Sequence, residues 1–181
     1  MSNKNNKKRL AIISIKTYYA SQIFDETKLY EFRKSPLKQE ILDQKIYVYS
    51  AKEDKAIIGY FRVSDILSGN TTEILKLTGY DKRKDGHEII SYFGQNNSKC
   101  FALSLYDITE FSEYLTLRDM KSVSNNADMP QYLKFVYEGD PLYDMLNEWD
   151  QAFSLDGDIC QNPKQEKQMI LQRARMKGKD K

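Results

Sequence analysis

Apolar and polar residues alternate with a period of two along several short segments, a pattern typical of half-buried β-strands. The clearest case is the stretch IYVYS. Predicted strands lie at 10–16, in the segment after the first helix that ends at Ser35-Pro36, and at 46–50, 56–66, 100–108 and 132–137. A short polar turn joins the third and fourth of these segments, as in an antiparallel hairpin. The pattern therefore predicts a small antiparallel or mixed β-barrel within an α+β fold that is mainly β.

Apolar residues at helical spacing predict short helices between the strands. These helices are expected at 18–25, 73–77 and 88–93. Hydroxyl side chains precede two of them, and we expect Thr17 to cap the first and Thr71 with Thr72 to cap the second. The segment 80–86, which reads YDKRKDG, is predicted to be an exposed basic loop.

Two longer helices are predicted in the last quarter of the chain. In 141–153 acidic residues separate apolar residues at helical spacing, and in 165–176 most residues outside the apolar positions are basic. We therefore divide the chain into a basic disordered tail (1–9), a β-rich domain (10–137) and a helical extension with acidic and then basic segments (138–181).

The composition indicates a protein that works in water. Hydrophobic residues make up 40% of the chain and charged residues 30%. No apolar run approaches the roughly 18 residues that a membrane span needs. The basic start of the chain is followed only by LAIIS, which is too short for the apolar region of a secretory signal. We expect a cytoplasmic protein with no membrane partner.

The charge is distributed unevenly although the formal net charge is only +2. Both ends are basic, whereas 135–163 contains no Lys or Arg and accumulates acidic residues. The small total argues against a protein whose whole surface binds nucleic acid. The basic ends have two interpretations: they bind a polyanion through counterion release, or they only keep the chain soluble.

Cysteine and histidine are too scarce for a zinc site built from these ligands. Cys100 and Cys160 are the only cysteines, and His87 is the only histidine. The segment 156–158 reads DGD but lacks the spaced ligands and the closing glutamate of a calcium loop. We expect no metal and no cofactor, and we expect Cys100 to be a buried thiol at the start of a strand.

A charged row follows the first predicted helix. Lys28, Glu31 and Arg33 fall within six residues. On an extended strand Glu31 and Arg33 share one face, while Tyr30 and Phe32 take the other and pack against the core. Either Glu31 and Arg33 simply pair on the strand surface, a contact of ~0–1 kcal/mol, or the three charged side chains line a cleft.

This stretch resembles the signature of the ASCH domain, a family of the PUA-like β-barrel superfamily. The family pattern is a strand, a helix and then G-x-K-x-x-E-x-R, and the chain reads E-T-K-L-Y-E-F-R. Lys28, Glu31 and Arg33 match, while Glu26 replaces the glycine. The segments IYVYSA, IIGYFRV, EIISYFG and MPQYLKF agree with the family layout, so the resemblance covers 10–136. It implies a PUA-like barrel flanked by short helices.

The resemblance also implies a function. ASCH domains are similar to RNA-binding PUA modules, so we expect binding of RNA or of a modified nucleoside or nucleotide at the barrel mouth. In this interpretation Arg33 or Lys28 contacts phosphate, and Glu31 accepts hydrogen bonds from a base edge. A carboxylate at Glu26, where the family has glycine, is expected to alter the turn and to repel phosphate at the edge of the pocket.

Three further residues are candidates for the same site. Ser14 and Lys16 lie at the carboxyl end of the first predicted strand, which runs next to the charged row. Gln131, in the MPQ segment, has an amide that can read a base edge. We expect these three side chains to complete the binding pocket.

An enzyme in the same cleft is the first alternative. Some small family members are similar to amidohydrolases that act on N4-acetylcytidine, and others to ribonucleases. Lys28 and Glu31 are then the catalytic candidates, since a Lys–Glu pair supports general acid–base chemistry. The amidohydrolase pattern has threonine at the position of Glu31, so the chain departs from it there. Whether the protein is an enzyme stays open.

A protein-interaction module is the second alternative. The helical extension carries Leu146 and Trp149 on the apolar face of its acidic helix. These side chains are candidates for docking a partner through apolar contacts, with the basic end providing a charged surface. The sequence does not decide the oligomeric state.

Overall fold

The computed structural model describes residues 8–125, 127–129, 131–154 and 161–179. Six strands and six helices form within these residues. The strands are β1 (Arg9–Ile15), β2 (Tyr30–Arg33), β3 (Ile46–Ser50), β4 (Ala56–Gly69), β5 (Cys100–Thr116) and β6 (Leu133–Tyr137). The helices are α1 (Thr17–Phe24), α2 (Thr71–Thr78), α3 (Gly86–Phe93), α4 (Leu117–Lys121), α5 (Pro141–Phe153) and α6 (Pro163–Lys179). None of these helices has the length and apolar character needed to cross a membrane.

The strands form one mixed sheet in the order β2-β5-β4-β3-β1-β6. Strands β1 and β3 pair in parallel, with Ile13 opposite Val48, and every other neighbouring pair is antiparallel. The α+β class is therefore confirmed. The sheet does not close into the predicted barrel, because β2 and β6 lie at opposite ends of the strand order.

A side-chain contact spans the place where β2 comes near β1. The Arg33 guanidinium on β2 donates to the carbonyl oxygen of Ser14 on β1, at 3.1 Å. The described residues show no ladder of backbone hydrogen bonds between these two strands. Polar side chains occupy this space instead, which gives a physical reason for the open sheet.

The central strand β3 is buried on both faces. Ile46 and Val48 pack in one apolar cluster with α1, whereas Tyr47 and Tyr49 pack in a second cluster with α5 and α6. The period-two alternation of this strand thus separates two cores rather than a core from solvent. The alternation predicts the strand correctly, but it does not show that helices cover the second face.

Helix α5 packs tightly onto the sheet through its apolar face. Leu146 and Trp149 are 0% exposed, so they are not available to dock a partner. The Trp149 indole donates to the carbonyl oxygen of Glu113 at 2.8 Å. The Asp150 carboxylate accepts a hydrogen bond from the Tyr47 hydroxyl, also at 2.8 Å. Each fully buried large apolar side chain contributes about 1.5–3 kcal/mol, which anchors this helix.

The basic residues of α6 pair with acidic residues of α5. Arg173 lies 2.8 Å from Glu148, and Lys177 lies 3.2 Å from Asp144. This pairing accounts for the two oppositely charged segments that follow one another in the sequence. These cations of α6 therefore neutralise acidic side chains of α5. They also contribute to the positive charge of the last part of the chain.

Two predicted helix caps are wrong. Helix α1 begins at Thr17 itself, with Lys16 in the N-cap position. The Thr17 hydroxyl oxygen instead accepts a hydrogen bond from the backbone N–H of Glu53 at 3.1 Å. Helix α2 is capped by Asn70 and not by the two threonines. Asn70 and Glu73 form a reciprocal capping box, in which the side chain of each accepts from the backbone N–H of the other.

A third apolar cluster connects α2 and α3 with β2 and β5. Tyr80, predicted to lie in an exposed loop, is 3% exposed and packs edge-on against Phe32 at 5.1 Å between ring centroids. Cys100 is a buried free thiol, as expected. The expectations for residues 1–7 of the tail, for the DGD segment and for Cys160 lie outside the described residues.

Candidate functional site

A pocket of about 230 Å³ opens between β1, α1, β2 and α3. Its wall contains all six residues that the sequence singles out. They are Ser14, Lys16, Lys28, Glu31, Arg33 and Gln131. Strand β1, the turn before β2, β2 itself and the segment before β6 thus converge on one cavity. Their spacing in the sequence, from 14 to 131, shows that the cavity is a product of the fold.

The end of α1 positions Lys28. Two successive backbone N–H groups, those of Thr27 and Lys28, both donate to the carbonyl oxygen of Gln22 at 2.9 Å. Between them and the helix lies Glu26, with φ of 55°. This is the left-handed conformation that usually ends a helix and that favours glycine.

The conformation at Glu26 explains why the ASCH pattern has glycine there. A non-glycine residue in the left-handed region costs roughly 1–2 kcal/mol. The Glu26 side chain is exposed and is not part of the pocket wall. The substitution therefore keeps the turn at the cost of backbone strain. The expectation that its carboxylate lies at the pocket edge is wrong.

The three charged side chains form one buried row. The Glu31 carboxylate lies in the middle, with Oε2 2.6 Å from the Lys28 ammonium and Oε1 2.9 Å from the Arg33 guanidinium. The residues are 5% (Lys28), 7% (Glu31) and 8% (Arg33) exposed. Glu31 and Arg33 do pair, but inside the pocket wall and not on an open strand surface.

Hydrogen-bonding capacity remains within this row. The Lys28 ammonium donates to Glu31 and, at 2.6 Å, to the carbonyl oxygen of Tyr30, which uses two of its three hydrogens. The Arg33 Nε is buried and has no hydrogen-bond partner among the described residues. An unpaired buried donor costs about 1–3 kcal/mol, so the site gains free energy when a ligand supplies an acceptor.

Aromatic rings surround the charged row. The Lys28 ammonium lies 5.8 Å from the ring centroid of Tyr19 and 5.4 Å from that of Phe32, and Tyr92 on α3 lines the same pocket. Burial raises the pKa of the Tyr19 phenol, and the charge of Glu88 acts in the same direction. Burial also raises the pKa of the Tyr92 phenol. Both phenols therefore stay protonated at neutral pH.

Sequence reasoning missed the contribution of α3. Glu88, Ile89 and Tyr92 all line the pocket. Residues at i and i+4 share one face of a helix, so the stretch EIISY already carries a polar and an aromatic group on one side. Nothing in the local pattern, however, shows that this face meets the charged row rather than solvent.

Comparisons with known proteins give matches among solved structures. No protein-family model matches the sequence, and no curated protein matches it. The crystal structure of ASCH from Zymomonas mobilis has a TM-score of 0.62 at 25% sequence identity, covering 71% of this chain and 87% of that chain. A serine-to-alanine variant of the same protein has a TM-score of 0.61 at 25% identity, with 71% and 88% covered. A tyrosine-to-phenylalanine variant has a TM-score of 0.63 at 23% identity, with 72% and 92% covered.

The shared fold extends over most of both chains, and the K-x-x-E-x-R residues of this chain are gathered in one pocket. The fold and the sequence signature lead independently to the same assignment. Both observations support assignment of the chain to the ASCH domain family.

Proposed function

We propose that the chain binds RNA, or a modified nucleoside or nucleotide, by taking one base into the pocket around Lys28, Glu31 and Arg33. One observation carries the proposal. A buried row presents a donor, an acceptor and a donor in succession, inside a cavity with aromatic walls.

The central carboxylate favours a base over a phosphate as the group that enters the pocket. A phosphate presents only acceptor oxygens, and Glu31 would repel its charge. A nucleobase edge presents donors and acceptors side by side. Glu31 can accept from a base N–H, while Lys28 and the unpaired Arg33 Nε donate to base carbonyl or ring nitrogen atoms.

The size of the cavity agrees with a single base. Its volume of about 230 Å³ falls below the ~300–1,000 Å³ of pockets that hold drug-sized ligands. Tyr19, Phe32 and Tyr92 supply faces and edges on which a flat ring packs, and stacking of this kind is tolerant of base identity. Exposed Lys16 at the pocket wall is suited to the phosphate that remains outside.

Binding of short single-stranded RNA at two salt concentrations tests the proposal. Lys28→Met removes a donor from the row but leaves Glu31 paired with Arg33, so the variant is expected to fold. Lys76→Met, on the exposed side of α2, is the matched control. We expect wild type and the control to bind equally, more weakly at high salt, and the pocket variant to lose at least about tenfold in affinity, the loss of one charge-assisted hydrogen bond. Equal binding by all three proteins would refute the proposal.

A second candidate function is hydrolysis in the same pocket. The observation that favours it is the 2.6 Å contact between the Lys28 ammonium and Glu31 Oε2, a geometry in which a proton can be exchanged during general acid–base catalysis. Incubation with N4-acetylcytidine, and separately with single-stranded RNA, distinguishes the two candidates. Product formation that Lys28→Met abolishes would establish an enzyme; binding without turnover leaves the binding module.

A further inference from the structure

A second cavity of about 550 Å³ opens next to the pocket. Ser14, Ile15, Lys16 and Gln131 line both cavities, so the two adjoin at the end of β1, which separates them. We call the second cavity the side groove. Its remaining wall consists of Tyr49, Ala51, Leu117, Met129 and Tyr132.

The wall of the side groove is mostly apolar and includes an exposed aromatic ring. Tyr132 is 63% exposed, so a face of its ring is open to a flat ligand that enters the side groove. The backbone of Tyr132 is held against β1, because its carbonyl oxygen accepts a hydrogen bond from the backbone N–H of Ser14 at 2.9 Å. The ring therefore stands beside the strand end that separates the two cavities.

The boundary between the cavities carries an exposed cation. Lys16 is exposed and lines both of them. Within the described part of the chain its ammonium has no carboxylate at salt-bridge distance, unlike Lys28, which is neutralised by Glu31. A lysine in this position provides a point charge for an anion that crosses from one cavity to the other.

From these observations we infer that the site takes a single strand of at least two nucleotides rather than an isolated nucleoside. One base enters the pocket, its neighbour lies in the side groove against Tyr132, and the connecting phosphate lies at Lys16. This inference rests on the proposed function, since it places the second nucleotide relative to a base in the pocket. It adds a substrate class: single-stranded RNA, with stacking in the second position.

Calorimetric titration with each ribonucleoside monophosphate and each ribodinucleotide tests the inference. The proteins are wild type, Tyr132→Ala and Tyr137→Ala. Tyr137 is the matched control, since it lies on β6, is 46% exposed and lines neither cavity. In wild type and the control we expect the best dinucleotide to bind roughly tenfold more tightly than its mononucleotide, the contribution of one stacked base. Tyr132→Ala should remove this gain and leave mononucleotide binding unchanged.

Lys16→Gln provides a second, independent readout. We expect the slope of log affinity for the dinucleotide against log salt to fall by about 0.7, the value for one phosphate contact on a single strand. Mononucleotide binding with no gain for any dinucleotide would overturn the inference and leave the proposed function standing. An equal gain in Tyr132→Ala would also overturn it. Absence of binding by all ligands would overturn both.

Discussion

Replacement of Glu31 by glutamine is the sharpest test of how the charged row is held. Glutamine keeps the shape of the side chain and one acceptor oxygen but removes the negative charge. Lys28 and Arg33 are 5% and 8% exposed. Their cations would then lie on either side of a neutral amide and would lose the counter-charge that they share. Removing one partner of a buried ion pair costs about 3–5 kcal/mol of stability. Because the amide oxygen of glutamine still accepts a hydrogen bond, we expect a loss at the lower end, about 3 kcal/mol.

Glu148 offers a matched comparison on the protein surface. It also contacts one arginine and one lysine, Arg173 at 2.8 Å and Lys177 at 3.8 Å, but its side chain is 28% exposed and both cations are about half exposed. Surface ion pairs contribute ~0–1 kcal/mol. Glu148→Gln should therefore change the free energy of unfolding by less than about 1 kcal/mol.

Urea unfolding followed by tryptophan fluorescence measures both variants. Trp149 is the only tryptophan and is 0% exposed, so its emission reports loss of the core packing. A loss of about 3 kcal/mol is a large part of the ~5–15 kcal/mol by which a typical domain is stable. The urea concentration at the unfolding midpoint should therefore fall clearly, while the slope of the unfolding free energy against urea concentration stays constant. Equal losses for Glu31→Gln and Glu148→Gln would refute the reasoning that burial makes the row costly to break.

A companion variant separates stability from function. Exchange of the whole row for apolar residues, Lys28→Met with Glu31→Leu and Arg33→Met, removes every buried charge together. Such exchanges are often neutral or stabilising by ~1–4 kcal/mol. We expect this variant to be at least as stable as wild type and to bind no nucleic acid. A severe loss of stability would instead indicate that the row is kept for folding.

Three further expectations follow from single positions. Tyr47→Phe should cost about 1.5–3 kcal/mol of stability, because it removes the hydrogen bond to the Asp150 carboxylate. Burial also raises the pKa of Tyr47, so above pH ~10 wild type should lose stability more steeply than the variant. Urea unfolding at a series of pH values measures both effects. Gly59→Ala should lower the melting temperature, with a cost of about 1–3 kcal/mol, since its Cβ would lie 2.2 Å from the carbonyl oxygen of Thr109. Glu26→Gly should stabilise the protein by about 1 kcal/mol through relief of left-handed strain and leave RNA affinity unchanged, which thermal melting and the binding assay check together.

The sequence predicts most elements because local patterns dictate them. Helix α5 begins and ends as expected, at Pro141 and Phe153, since its apolar spacing, its N-cap aspartate and its proline agree. The strands β4 and β5 are longer than predicted. Their ends pair with each other, with Ser68 opposite Phe101, and such pairing depends on residues far apart in sequence.

The open sheet and the burial of the charged row are not readable from the sequence. Alternation along 30–33 shows which residues share a face, but not that α3 covers that face and closes a pocket over it. Glu31 and Arg33 are therefore buried rather than exposed. The family signature selects residues that the fold brings into one pocket, whereas their depth depends on a helix some 55–60 positions further along the chain.

Backbone amide shifts on titration with short single-stranded RNA test the central claim most directly, because they require no substitution. We expect the largest shifts around the pocket, at 14–16, 28–33 and 88–92, followed by the side groove at 131–132. Shifts confined to the basic helix α6, or an unchanged spectrum, would contradict the claim that this chain binds nucleic acid through the Lys28, Glu31 and Arg33 pocket.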